Sequence, residues 1–233
     1  MQPSTTTKTG SSQNLNVIFR IGGFASITML VIMALQIGIY VTWPPPEAAE
    51  DFIALLNQNS LLGLLSLDFL YLINNAVLVL IYLPIYLVLR EKESSWTLIA
   101  LILGLVGIAA YFASNTSFEM LNISRLYAAA GTEAQKTALL GAAQALMAIY
   151  KGTAFNVYYV LNAVALLIFA IVILKKKAFT KAAGIAGLIS GVLMSIPSSA
   201  GAIGMIFALA SLIPWAVFLV LMIPVFFRLG VSE

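Results

Sequence analysis

Four side chains that can do chemistry sit inside one apolar stretch, SLLGLLSLDFLYLINNAVLVLIYLPIYLVLR, residues 60–90. They are Asp68, Tyr71, Asn74 and Asn75, spaced i, i+3, i+6 and i+7, so a helix gathers them on about one face. One carboxylate, two amides and a phenol can hold a cation or orient a polar group by hydrogen bonds. A carboxylate and amides are costly in hydrocarbon, so they should face other helices or a water-filled cavity. Further along, Tyr111, Asn156, Tyr159 and Asn162 are polar positions in equally apolar surroundings. These eight residues form the predicted ligand-binding set.

Other chemistries lack their residues. The chain has no histidine and no cysteine, which removes thiolate nucleophiles, a histidine base and Cys/His metal sites. No cofactor, no metal and no catalytic group is expected. Retinal attachment would need a lysine within a span. An aspartyl dyad would need a second buried carboxylate, and Asp68 is the single candidate.

Composition says what must position these residues. Of 233 residues, 61% are hydrophobic and 9% charged, against about 25% charged in soluble domains. Continuous apolar runs of membrane-spanning length predict an all-α, polytopic bundle of six transmembrane helices. The spans fall at about 18–43, 64–90, 96–113, 152–174, 179–199 and 201–228, within one domain covering 17–233. Residues 1–16, polar and carrying only Lys8 as a charge, read as a disordered tail. Tyr40 and Trp43 suit an aromatic belt, and Pro44-Pro45-Pro46 ends the first span. The stretch EAAEDFIALLNQN suits a short amphipathic surface helix. Thr132 with Gln135 reads as a capping box that opens a helix at Glu133 and runs on toward the fourth span.

Six spans put both termini on one side. Nine of the twelve Lys and Arg residues fall on that side and three (Arg125, Lys136, Lys151) on the other, which predicts cytoplasmic termini. The net charge of +3 is spread over helix ends, so nucleic acid is not an expected partner. The lipid bilayer is. Ala183, Gly187, Gly191 and Ser195, facing Ala200, Gly204 and Ala208, suit a tight hairpin of the last two spans, and the same motif would also permit a homo-oligomer.

With that topology all eight predicted residues lie in the outer halves of their spans, above inner halves of Leu, Ile, Val and Ala. The leading expectation is an outward-facing pocket that binds or transports a small amphiphilic or lipid-like molecule, Asp68 anchoring its head. A structural or partner-interaction protein, whose polar residues only glue helices together, needs the same residue types. An intramembrane enzyme using Asp68 ranks third.

The segments WPPP (43–46), LLGLLSLDFLYLINN (61–75), LGLVGIAAYFASN (103–115) and GTAFNVYYVL (152–161) resemble an uncharacterised bacterial membrane family, domain-of-unknown-function family 4386. Its members often carry Asp where this chain has Asn156. The resemblance implies a six-helix bacterial protein of the cell inner membrane and no particular activity.

Overall fold

The computed structural model describes residues 9–231, with side chains from residue 15 onward. All regular elements among them are α-helices. They are α1 (Thr9–Thr42), α2 (Ala49–Gln58), α3 (Ser60–Ser66), α4 (Phe69–Leu89), α5 (Ser94–Ser114), α6 (Ser117–Ala129), α7 (Glu133–Tyr150), α8 (Thr153–Lys176), α9 (Lys181–Met194) and α10 (Gly201–Leu229). Five segments are long and apolar enough to cross a membrane, and α9 is a shorter apolar helix. The chain is an integral membrane protein.

Six apolar helices pack as a closed ring: α1 on α4, α4 on α5, α5 on α8, α8 on α9, α9 on α10, and α10 back on α1. Large side chains fill the ring's centre, among them Ile81, Tyr82, Ile85, Leu166, Phe169, Phe218, Met222 and Phe226. Glycines set the closest approaches. At one end α1 lies so near α4 and α10 that a Cβ on Gly22 would stand 2.5 Å from Pro84 Cγ, and one on Gly23 2.9 Å from the Phe227 ring. The Arg20 guanidinium closes that end by donating to the Gly230 carbonyl at 2.7 Å, a cation on the terminal carbonyls of α10. Lys176 pairs with Glu93 at 3.3 Å at the same end. This is the basic end of the bundle.

The opposite end carries a cap. Helices α2, α3, α6 and α7 pack on one another around a separate small core of Ala49, Phe52, Ile53, Leu56, Leu67, Met120 and Ala143. Polar side chains tie the cap's backbone together: Ser124 Oγ donates to Ile53 O at 3.1 Å, and Asn57 Nδ2 to Ser124 O at 3.2 Å. The predicted capping box is present, with Thr132 Oγ1 accepting from Gln135 N at 3.2 Å and Gln135 Oε1 from Thr132 N at 3.2 Å. Thr132→Ala should therefore destabilise the start of α7 by about 1 kcal/mol. Hydrogen exchange at Ala134, Gln135 and Lys136 would rise while exchange in α8 stays unchanged.

Four sequence expectations need correction. Helix α1 begins at Thr9, inside the stretch expected to be a disordered tail, because extending a helix already nucleated by an apolar span adds one bond per residue fixed; residues 1–8 lie outside the described residues. The predicted second span, 64–90, is not one helix but breaks at Leu67 and Asp68 into α3 and α4. The helix opening at Glu133 does not continue into the fourth span, since Lys151 and Gly152 turn the chain between α7 and α8. Span five ends at Met194 rather than 199. Pro197 cannot continue the ladder, and the Ser195 hydroxyl takes the Val192 carbonyl at 2.7 Å. At 14 residues α9 is about 21 Å long, well short of a hydrocarbon core of about 30 Å.

Candidate functional site

The site is built on the break in the second span. Asp68 has φ +59° and ψ +28°, a left-handed conformation that aspartate tolerates better than most residues. The break there leaves the carbonyls of Leu65 and Leu67 outside the hydrogen-bond ladder of α4. Three side chains take them: Gln36 Nε2 donates to Leu65 O at 3.3 Å, Asn115 Nδ2 to Leu67 O at 2.9 Å, and Ser117 Oγ to Leu67 O at 2.8 Å. Irregular backbone at membrane depth persists only where protein buries it or water reaches it. Here α1, α5 and α6 converge to bury it.

The same turn aims the Asp68 carboxylate away from α4. It makes no cap bond to the helix backbone. One oxygen accepts from the Tyr40 hydroxyl of α1, the other from the Tyr150 hydroxyl at the end of α7. Asp68 thus joins the bundle, the broken span and the cap. The field of the carboxylate also reaches Tyr71, Tyr111 and Tyr159. Among the described residues the ion pairs are Lys136–Glu133 and Lys176–Glu93, so Asp68 has no cation at pairing distance. Lys151, exposed beside Tyr150, feels its charge from farther away.

Aromatic rings pack beside this carboxylate. Tyr111 of α5 lies 4.8 Å from Tyr158, Tyr158 5.4 Å from Tyr159, Tyr159 5.1 Å from Phe155, and Phe155 6.4 Å from Tyr111, closing a circuit. Tyr150 joins it at Phe155, 6.2 Å centroid to centroid.

Five buried polar atoms nearby have no partner: Gln36 Oε1, Ser66 Oγ, Asn74 Oδ1, Asn75 Oδ1 and the Tyr111 hydroxyl. Their residues are 1, 2, 8, 1 and 2% exposed. They come from the cap-side parts of α1, α3, α4 and α5, the helices that meet at the break. More than nine in ten buried polar groups in folded proteins are satisfied, and each orphan costs about 1–3 kcal/mol. All five lie toward the cap end of the bundle.

The remaining predicted residues divide. Asn156 Nδ2 donates to Gly152 O at 2.8 Å, and its Oδ1 accepts from Ser199 Oγ at 2.6 Å; Tyr159 donates to Ser198 at 3.1 Å. Those serines belong to the non-helical link after the short α9, which therefore lies beside the first turns of α8. Asn156 also borders an open groove of about 520 Å³ lined by Gly152, Thr153, Val157, Val160 and Leu161. Asn162 is fully satisfied: it accepts from Tyr82 at 3.0 Å and donates to Tyr158 O at 3.1 Å. The bond from Tyr82 ties α4 to α8.

A family model described as "Domain of unknown function (DUF4386)" matches residues 19–230. The chain belongs to this family. The match covers every membrane-spanning helix and the whole cap, so the break at Asp68 lies inside the family region. No curated protein and no solved structure matches the chain.

Sequence reasoning missed Tyr40, Tyr150, Gln36, Ser66 and Phe155 as parts of this region. Tyr40 is turned inward to Asp68 instead of sitting in an aromatic belt, whereas Trp43 is exposed. Gln36 carried a readable signal, as the one amide in an otherwise apolar run. Tyr150 carried none, because only the turn at Lys151–Gly152 brings it under Asp68.

Proposed function

We propose that this membrane protein binds, and in a cellular setting transports or presents, a small amphiphilic or lipid-like molecule where the cap meets the bundle. Asp68 and Tyr111 contact its polar head, and the amide oxygens of Asn74 and Asn75 accept its hydrogen bonds. Asn156 and Tyr159 border the approach along α8, and Tyr71 flanks the carboxylate. In this reading the basic end faces the cytoplasm with both termini, in a cell inner membrane, and the cap faces outward.

One observation carries the reading: five unpartnered buried polar atoms beside a broken span. Discontinuous membrane helices recur at binding sites because their freed backbone and polar flanks can meet a solute. Helix-to-helix glue has no need of unmet acceptors. Asn162, with both ends of its amide satisfied, is what glue looks like in this same protein.

The test is native mass spectrometry of gently solubilised protein, wild type beside Asn75→Leu. Leucine removes an amide oxygen that has no partner, together with the Nδ2 bond to Tyr71 O at 2.9 Å. The expected result is a defined small molecule or lipid retained by the wild type and lost from the variant. Nothing retained by either, with only a change in melting temperature, would move the assignment to a structural or partner-interaction role.

A further inference from the structure

Asp68 is a partly buried carboxylate at the end of an apolar bundle, and its compensation comes from phenols. Two tyrosine hydroxyls bond it, one on each oxygen. A carboxylate offers about four acceptor sites, so acceptor capacity remains on both oxygens. Buried charges ordinarily find an opposite charge, yet no cation of the described residues pairs with this one.

Beside it stands the circuit Tyr111–Tyr158–Tyr159–Phe155, held to the carboxylate through Tyr150. Aromatic faces carry partial negative charge and attract cations within about 6 Å of the ring centre. They do so most strongly for weakly hydrated organic cations, which lose little hydration on entering a dry site. The unpartnered atoms nearby are mostly acceptors as well: the amide oxygens of Gln36, Asn74 and Asn75. The nearest spare donors are hydroxyls, on Ser66 and Tyr111, and a hydroxyl can also accept. The carboxylate, the amide oxygens and the ring faces favour positive charge, and none of these groups is a fixed cation that would hold a phosphate or carboxylate.

We infer that the aromatic circuit and the Asp68 carboxylate together select an organic monocation, an amine or quaternary ammonium head, as the polar end of the bound molecule. This rests on the pocket proposed above and narrows its occupant. A zwitterion whose anionic group stays near exposed Lys151 fits the same arrangement.

The test uses three decyl-chain probes on the full chain in lipid nanodiscs: decyltrimethylammonium, its uncharged all-carbon isostere, and decyl phosphate. Adduct occupancy is read by native mass spectrometry across a concentration series. The expected result is binding of the ammonium probe at least about tenfold tighter than the isostere, with the phosphate weaker than both. Asp68→Asn and, separately, Tyr159→Leu should bring the ratio of ammonium to isostere binding, read within each variant, close to one. The wild-type comparison stands even if a variant fails to fold. Equal binding of ammonium probe and isostere, both lost in Asn75→Leu, would leave the pocket standing and overturn the cation inference. No probe held above the level of an unrelated membrane protein would overturn both.

Discussion

Asp68→Ala is expected to destabilise the protein more than any other single polar substitution, by at least about 4 kcal/mol. The carboxylate accepts from Tyr40 and Tyr150, and hydrogen bonds to a charged group contribute about 1.5–3 kcal/mol each. Alanine also loses the side-chain tolerance of the left-handed region that Asp68 occupies, roughly another 1 kcal/mol. Two phenols would be left facing a site without an acceptor. Asp68→Asn should be much milder. Asparagine is comfortable at positive φ, its oxygen still accepts from one tyrosine, and its amide can donate to the other's hydroxyl oxygen. Thermal unfolding in detergent, followed by tryptophan fluorescence, separates the two. Equal melting temperatures for wild type, Asn and Ala would mean that Asp68 does not lock the cap to the bundle. Tyr150→Phe should loosen the cap alone, seen as faster exchange in α7 with the ring of spans still protected.

Gly107→Leu is the second large effect, and it strikes the bundle rather than the cap. A Cβ at Gly107 would stand 2.3 Å from Asn162 Nδ2 and 3.2 Å from Leu161 Cβ. The amide is not free to swing away, because Tyr82 and the Tyr158 carbonyl hold its two ends. Even alanine should cost about 2–3 kcal/mol through overpacking and a bent hydrogen bond. Leucine should prevent α5 from docking on α8, giving protein that fails to accumulate or elutes as aggregate. Gly141→Ala on α7 is the matched control. A Cβ there meets nothing within 4 Å, so alanine should stabilise by about 0.5–1 kcal/mol through helix propensity. A Gly107→Ala protein as stable as that control would show that α5 and α8 pack more loosely than their glycines imply.

Both predictions turn on contacts between segments far apart in the chain, and legibility in the sequence divides along that line. The apolar runs were readable because crossing hydrocarbon demands about 20 apolar residues whatever the neighbours are. The capping box was readable because Thr132 and Gln135 satisfy each other within one turn. That Asn74, Asn75 and Asn162 are buried was readable from the expense of an amide in lipid. Whether each is satisfied was not, since Asn162 and Asn75 differ in what donates to them: Tyr82 donates to the Asn162 amide oxygen, and the Asn75 oxygen has no donor.

Asp68 shows the limit most clearly. Its type and its apolar surroundings mark it as unusual on sequence alone. The break it sits in is hidden there, because LLSLDFLYLI has no Gly or Pro and its apolar run outweighs the weak turn preference of Ser66 and Asp68. The helix gives way only because Gln36, Asn115 and Ser117 arrive to take the stranded carbonyls of Leu65 and Leu67. Local chemistry and the solvent therefore determined the class of this protein, its spans and its inward polar residues. Tertiary packing alone decided where a span breaks, which tyrosines meet Asp68, and which buried acceptors have no donor opposite them, because each depends on a partner supplied by another helix.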